Sequence, residues 1–300
     1  MTFTTRIKDE ITKDISNSLE SRTELLSYLN FIGEYKDNKL YLYIENASVA
    51  RYIFKLLKIN YNININLTIR TLKRFKIKKI YILSISEKID IIKDEINDLL
   101  LNIKNSSNEE IAAFLKGAFL ASGSINDPSK SKYHLEFLID DIDSANLIND
   151  LLIILKFKSK VIRRDKGYMV YIKISEEISD FIKVLGATNS LFYYEDIRIY
   201  RDHKNMVNRL NNCEQANMEK SMKTALEQLN NIKYLRDNDL IELLDDKIKL
   251  VISYREKYPE TTMNELAYII SMETETSLTK SCINHYFRKI KDLVNKDKNK

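Results

Sequence analysis

Seven side chains that can donate to or accept from a nucleic acid crowd between positions 279 and 289: Thr279, Lys280, Ser281, Asn284, His285, Arg288 and Lys289. Wound as a helix, the segment puts Ser281, His285 and Arg288 on one face, with Lys280, Asn284 and Lys289 on its flanks. The opposite face carries Ile283, Phe287, Ile290 and Val294 at i, i+4, i+7 and i+11. Arginine, asparagine and histidine match the donor and acceptor pattern of base edges in the major groove, and lysine and serine reach phosphate oxygens. Charged amphipathic helices are more often plain solvated surfaces. A short preceding helix, a turn-length loop and the placement of charge favour the specific reading here. The net charge is +5, and residues 276–300 hold seven Lys/Arg against two Asp, which leaves 41 of each sign in residues 1–275. An anionic partner is expected at that end.

The elements that must position this helix can be read upstream. A helix over 239–258 stops at Tyr258-Pro259. Thr262 followed by Glu265 is a capping box opening a short helix, Met263–Ile270, with Leu266, Ile269 and Ile270 inward. A polar loop, Ser271–Ser277, then leads to the helix at Thr279. Before all of these runs a long helical pattern, 195–235, with Met222, Leu226, Leu229 and Ile232 near helical spacing. It begins with Arg198, Arg201, Lys204 and Arg209, which either lie on a DNA backbone or form a solvated face paired with Glu195 and Asp202. The Asn/Gln cluster at Asn208, Asn211, Asn212, Gln215 and Asn217 suggests a polar network or an ordered turn.

Residues 111–125, IAAFLKGAFLASGSI, are a different kind of helix. Ala113, Gly117, Ala118 and Ala121 leave one face without bulk, so a partner backbone can come close. A Gly-Ser turn and a strand follow. The pattern recurs at 22–34, RTELLSYLNFIGE, where Gly33 matches Gly123 and Ser27 matches Gly117. Each copy continues with a strand (Lys39–Glu45; Tyr133–Leu138), a helix (Ala47–Leu57; Ser144–Leu155), a strand pair (Ile63–Thr71 with Lys76–Ser86; Ser159–Arg164 with Tyr168–Ile174) and a closing helix (Lys88–Leu101; Glu176–Leu185). The fold class is therefore α+β: two tandem αββαββα repeats and an all-α C-terminal domain. Boundaries are expected at 1–105 and 106–205 for the repeats, 206–236 for a linker helix and 237–300 for the helix-turn-helix domain.

The 111–125 helix resembles the LAGLIDADG helix of homing endonucleases, with Leu115, Gly117, Ala121 and Gly123 at motif positions. That resemblance implies paired motif helices, a saddle of two sheets, and a metal-binding acid before each final glycine. Ile32 and Ser122 stand there instead, and neither can hold Mg²⁺ for phosphodiester cleavage. Four further segments extend the likeness over nearly the whole chain: FLKGAFLASGSINDP at 114–128, YHLE at 133–136, NRLNNCEQAN at 208–217 and LTKSCINH at 278–285. Together they resemble the WhiA family of bacterial regulators. The resemblance implies a degenerate LAGLIDADG scaffold joined to a helix-turn-helix similar to that of sigma factors, and a DNA-binding role in transcription, cell division or sporulation. Duplex DNA is the expected partner, and a sigma factor or division component is a further one. Residual endonuclease activity and a pure protein-interaction scaffold are the alternatives.

Cys213 and Cys282 form neither a disulfide framework nor a zinc module, and His203 has no third ligand near it. No catalytic group, metal or cofactor is expected. The longest apolar run, Leu151–Leu155, is too short to span a bilayer, and the first residues carry no apolar signal region. A reducing cytoplasm, at the nucleoid, is the expected location.

Overall fold

The structure, a computed structural model, describes residues 1–15, 18–72, 78–274 and 276–299; the expected strand positions Lys76 and Ile77 and the charges of Glu275 and Lys300 lie outside the described residues. By internal contacts the chain divides into residues 1–201 and 202–300.

In the first unit the αββαββα order holds in both copies. The first comprises α2 (Ser18–Ile32), β1 (Glu34–Lys36), β2 (Lys39–Ile44), α3 (Ala47–Tyr61), β3 (Ile65–Leu72), β4 (Lys78–Ile85) and α4 (Ile89–Asn102). The second comprises α5 (Asn108–Ser122), β5 (Gly123–Ile125), β6 (Leu135–Ile139), α6 (Ile142–Ile154), β7 (Lys160–Arg164), β8 (Gly167–Ile172) and α7 (Ser175–Val184). The two antiparallel sheets have the same strand order, β1-β2-β4-β3 and β5-β6-β8-β7. Strand alternation sets the faces. Leu40, Leu42 and Ile44 of β2 point into the core, as do Leu135, Phe137 and Ile139 of β6.

The motif helices α2 and α5 cross at close range because of their small residues. A Cβ on Gly117 would lie 2.2 Å from the Glu24 carbonyl oxygen and 2.9 Å from the Ser27 Cβ. Ser27 sits opposite and donates its hydroxyl to the Phe114 carbonyl at 2.7 Å, inside the interface. α5 begins with a reciprocal capping box between Ser107 and Glu110.

One element was not expected from the sequence. Residues Phe3–Ile11 form a helix, α1, whose Phe3, Ile7 and Ile11 are buried in the core of the first unit. Thr4 exchanges hydrogen bonds with both backbone groups of Ile125, at 2.9 and 3.0 Å. Glu10 accepts from the backbone amides of Asn189 and Ser190 at 2.6 and 3.0 Å, and from the Ser190 hydroxyl at 2.7 Å. These are the free first-turn amides of α8 (Thr188–Asp237).

α8 corrects one expectation: the long helix starts at Thr188, not near 195, and the Asn/Gln cluster is neither a turn nor a network but a stretch of this helix. Residues 202–220 are exposed throughout. Only two hydrogen bonds involve the cluster's side chains among the described residues, Gln215 to Glu219 at 2.9 Å and Asn217 to Cys213 at 3.7 Å.

The second unit is all helix: the end of α8, a 3-10 turn at Ile241–Leu243, α9 (Asp246–Lys257), α10 (Met263–Thr274) and α11 (Lys280–Lys298). Its core joins Ile232 and Leu235 of α8 to Val251, Leu266, Ile270, Ile283, Phe287 and Ile290. Two boundaries differ from expectation. α9 starts at Asp246 rather than 239, because Asp239 turns the chain at φ +56°. α10 continues to Thr274 through the expected loop, because Glu273 is anchored on α9 by Tyr254, Lys257 and Tyr258 at 2.8–3.2 Å.

Candidate nucleic-acid interface

The α10–α11 pair is held at every joint. Arg255 of α9, 1% exposed, donates to the Thr261 carbonyl at 2.7 Å and lies over the Phe287 ring. It thus ties the turn before α10 to α11. Thr262 and Glu265 form the expected reciprocal cap. Ser271 exchanges bonds with both backbone groups of Leu278, at 3.1 and 3.3 Å, closing the turn between the two helices. Thr279 caps α11 by accepting from the Cys282 amide at 3.3 Å. Tyr234 of α8 donates to Asp297, and Lys291 pairs with Glu227 at 2.6 Å.

On this frame α11 buries Ile283, Phe287, Ile290 and Val294, as its spacing predicted. Its outward face presents Lys280, Ser281, His285, Arg288 and Lys289, all exposed, with Asn284 half-buried beside them. Among the described residues none of these six has a hydrogen-bond or ion-pair partner, so their donors are free for a ligand. Thr279, expected in the same set, has its oxygen engaged in the cap.

The second basic run separates into two kinds of residue. Arg198 is folded into ion pairs with Glu195 (2.7 Å) and Glu176 (3.0 Å). Arg201 donates to the Ser131 carbonyl at 2.9 Å and covers the Tyr133 ring. Lys204 and Arg209 are exposed, without a partner among the described residues. Of the four, only the latter two therefore have side chains left free for a ligand among the described residues.

At the ends of the motif helices the residues do not fit a divalent cation. Ile32 offers no oxygen, and the Ser122 hydroxyl donates back to the Ala118 carbonyl at 3.2 Å. The charge that meets the end of α5 is a cation already in the chain: the Lys8 ammonium donates to the Leu120 carbonyl at 3.0 Å. Both groups line a cleft of about 690 Å³ whose carboxylates, Asp9 and Glu45, lie off the motif helices. Asp9 is occupied by the Asn46 amide at 2.9 Å. Among the described residues no three His, Cys, Asp or Glu side chains converge as a metal site.

Burial lowers the Lys8 pKa from 10.5 to about 8. The folded chain then releases this proton before the unfolded chain does, so stability rises between pH 8 and 10.5 and is flat with respect to this group on either side. Against a Lys8→Met variant, the wild-type unfolding free energy is expected to gain up to about 3 kcal/mol across that window. Urea titrations at stepped pH measure it. A difference that does not vary with pH would show that Lys8 keeps its proton.

A second charge cluster, which sequence reasoning missed, joins the motif helices. Glu24 of α2 is fully buried and its Oε2 receives Lys116 of α5 and the Tyr52 hydroxyl of α3, each at 3.0 Å. Burial raises the Glu24 pKa, and Lys116 opposes the rise. The repeat comparison carries no signal of the pair: with Ser27 aligned on Gly117, Glu24 falls opposite Phe114 and Lys116 opposite Leu26.

The chain matches three family models: the WhiA N-terminal LAGLIDADG-like domain over residues 19–100, the WhiA LAGLIDADG-like domain over 111–204 and the WhiA C-terminal HTH domain over 207–294. It is 36% identical over 313 aligned residues to the "Probable cell division protein WhiA" of Bacillus cytotoxicus, covering 99% of this chain and 97% of that one. The protein of the same name from Bacillus cereus matches at the same identity and coverage. In fold it is similar to the crystal structure of full-length DUF199/WhiA from Thermotoga maritima, with a TM-score of 0.59, 21% identity and 99% of each chain covered. The N-terminal LAGLIDADG domain of DUF199/WhiA aligns with 62% of this chain and 92% of its own length at a TM-score of 0.50 and 22% identity.

Proposed function

This chain belongs to the WhiA family, and from that premise we propose that it is a DNA-binding regulator of cell division or sporulation which reads duplex DNA with α11 and does not cut it. The observation that carries the reading is the outward face of α11: five exposed polar or cationic side chains without a partner among the described residues, on a helix fixed by Arg255, Ser271 and Thr279. A fixed helix with free donors suits a major groove, where Arg288 would meet a base and Lys280 and Lys289 would meet phosphates. Affinity would come mainly from the phosphate contacts and fall as salt rises. Ile32 and Ser122 support the absence of cleavage, since neither supplies a carboxylate for a metal, and the cleft that Ile32 lines also holds the Lys8 ammonium. No helix among the described residues is long and apolar enough to cross a membrane. The cytoplasm, at the nucleoid, is the proposed location.

A gel shift of the full chain on sheared genomic DNA with Mg²⁺ tests the reading. Retarded, uncut fragments are expected, with affinity decreasing as salt is raised. Arg288→Ala should weaken binding to a selected duplex by about 1–3 kcal/mol, if Arg288 contacts a guanine, and relax specificity. Unchanged affinity would remove the base-reading role from Arg288. Cut DNA would restore the endonuclease alternative. Capture of a sigma factor or division protein that survives DNase, with no shift at all, would favour the scaffold alternative.

A further inference from the structure

The middle of α8 is a helix that nothing in the described chain explains. Residues 202–220 are all exposed, yet they include Asn205, Asn208, Asn211, Asn212 and Asn217. Asparagine is a poor helix former, because its amide competes for the backbone. Five of them in a solvated helix lower its intrinsic stability, and only Asn217 has a side-chain hydrogen bond among the described residues. Local choices that oppose the element they sit in mark places where something other than folding is served.

The amides are not scattered round the helix. At 100° per residue, Lys204, Asn208, Asn211, Asn212 and Gln215 fall within one arc of about 100°, at i, i+4, i+7, i+8 and i+11. Asn205 borders it, Arg209 lies about 60° beyond the same edge, and Asn217 faces away. Of the three acids in residues 202–220, Asp202 and Glu214 project elsewhere. Glu219 closes the stripe, and its carboxylate accepts from Gln215 at 2.9 Å. Of the exposed apolar residues, Met206 and Leu210 lie on the other side, while Val207 and Met218 border the stripe on the Asn211 side.

We propose that this stripe is a second DNA-reading surface, on which Asn208, Asn211 and Asn212 meet adenine edges in the major groove while Lys204 and Arg209 meet phosphates. An asparagine amide presents one donor and one acceptor, the complement of adenine N7 and N6. A bare helix fits the width of that groove, and the eleven steps from Lys204 to Gln215 rise about 16 Å, close to five base-pair steps. Lys204, Arg209 and Lys220 balance the three acids of the segment, so the amides rather than net charge would carry the recognition. The inference rests on the DNA-binding reading above.

The test uses the full-length chain, its Asn208→Ala/Asn212→Ala variant and Arg288→Ala, on 20-base-pair duplexes that the wild type selects from a random library. The asparagine pair variant should bind the selected duplex at least about tenfold more weakly while its affinity for unselected duplex and its salt dependence stay the same. Alanine favours helix, so its thermal midpoint should hold or rise; should the pair variant prove unstable, Asn208→Ala alone gives the same reading with a smaller loss. Equal affinity of variant and wild type for the selected duplex overturns the inference. So does a loss confined to single-stranded RNA. If Arg288→Ala weakens binding and the asparagine variant does not, this inference alone falls; if the wild type binds no duplex, the DNA-binding reading falls with it.

Discussion

Lys116→Met is expected to destabilise the first unit by about 3–5 kcal/mol at neutral pH, because it leaves the fully buried Glu24 carboxylate without its counter-charge. The Tyr52 hydroxyl would remain as its one hydrogen-bond donor among the contacts described, and Glu24 Oε1 already has no partner. The pH dependence of the loss is diagnostic. Without the ammonium, the Tyr52 hydroxyl is left to oppose the rise that burial causes, and the folded pKa of Glu24 stands further above the unfolded one. The folded variant then binds a proton that the unfolded chain releases, so the deficit shrinks as pH falls toward the carboxylate range. The double variant Glu24→Gln/Lys116→Met should recover most of the loss at neutral pH. Urea unfolding at pH 5 and pH 7.5 on the three chains decides it: a Lys116→Met deficit that does not vary with pH, or one the glutamine fails to reduce, would show that the pair is not the buried unit described.

Gly117→Ala is the second large effect expected, and its sign runs against helix propensity. In an open helix the change stabilises by about 1 kcal/mol. Here the new methyl would lie 2.2 Å from the Glu24 carbonyl oxygen, a backbone atom that no rotamer change can move aside. The two motif helices must separate, which loosens the Ser27–Phe114 bond along with the apolar contacts on either side. A loss of about 1–3 kcal/mol is the ordinary range for such overpacking. Thermal melting of Gly117→Ala beside Asn208→Ala, an exposed site on α8, separates the two regimes. A midpoint that rises in both would mean the helices do not meet as closely as described.

These two sites show where the sequence was readable and where it was not. The stripe Ala113-Gly117-Ala118-Ala121 announced a close helix crossing, because absence of bulk has few other uses inside a helix. The identical strand order of the two sheets follows from the repeat. Lys116, next to Gly117 in that stripe, and Glu24 on the facing helix gave no warning: charged residues are by default solvent-facing, and only the partner across the interface makes their burial tolerable. α1 was missed because nine residues give a weak period, although Phe3, Ile7 and Ile11 recur every four. On the candidate interface, periodicity named the buried and outward faces of α11 correctly. The sequence offered the Arg198–Glu195 pair as one of two readings, and that pair forms, but the partners Glu176 and Ser131, which also engage Arg198 and Arg201 inside the first unit, lie far away in the chain. The helical run through Glu273 was misread as loop for the same reason, its anchor being on α9.

The Glu10 clasp on α8 has a consequence for how the molecule is made. Its partners, Asn189 and Ser190, are separated from it by 179 and 180 positions. At about 5–20 residues per second, a ribosome adds them roughly 10–40 s after Glu10. Throughout that interval Phe3, Ile7 and Ile11 lack part of the surface they dock on, and a segment made before its partners is among the last to find its place. The first unit is closed by residues far apart in order of synthesis, so a nascent chain halted between Glu10 and Ser190 leaves the apolar face of α1 exposed to whatever chaperone waits at the exit tunnel.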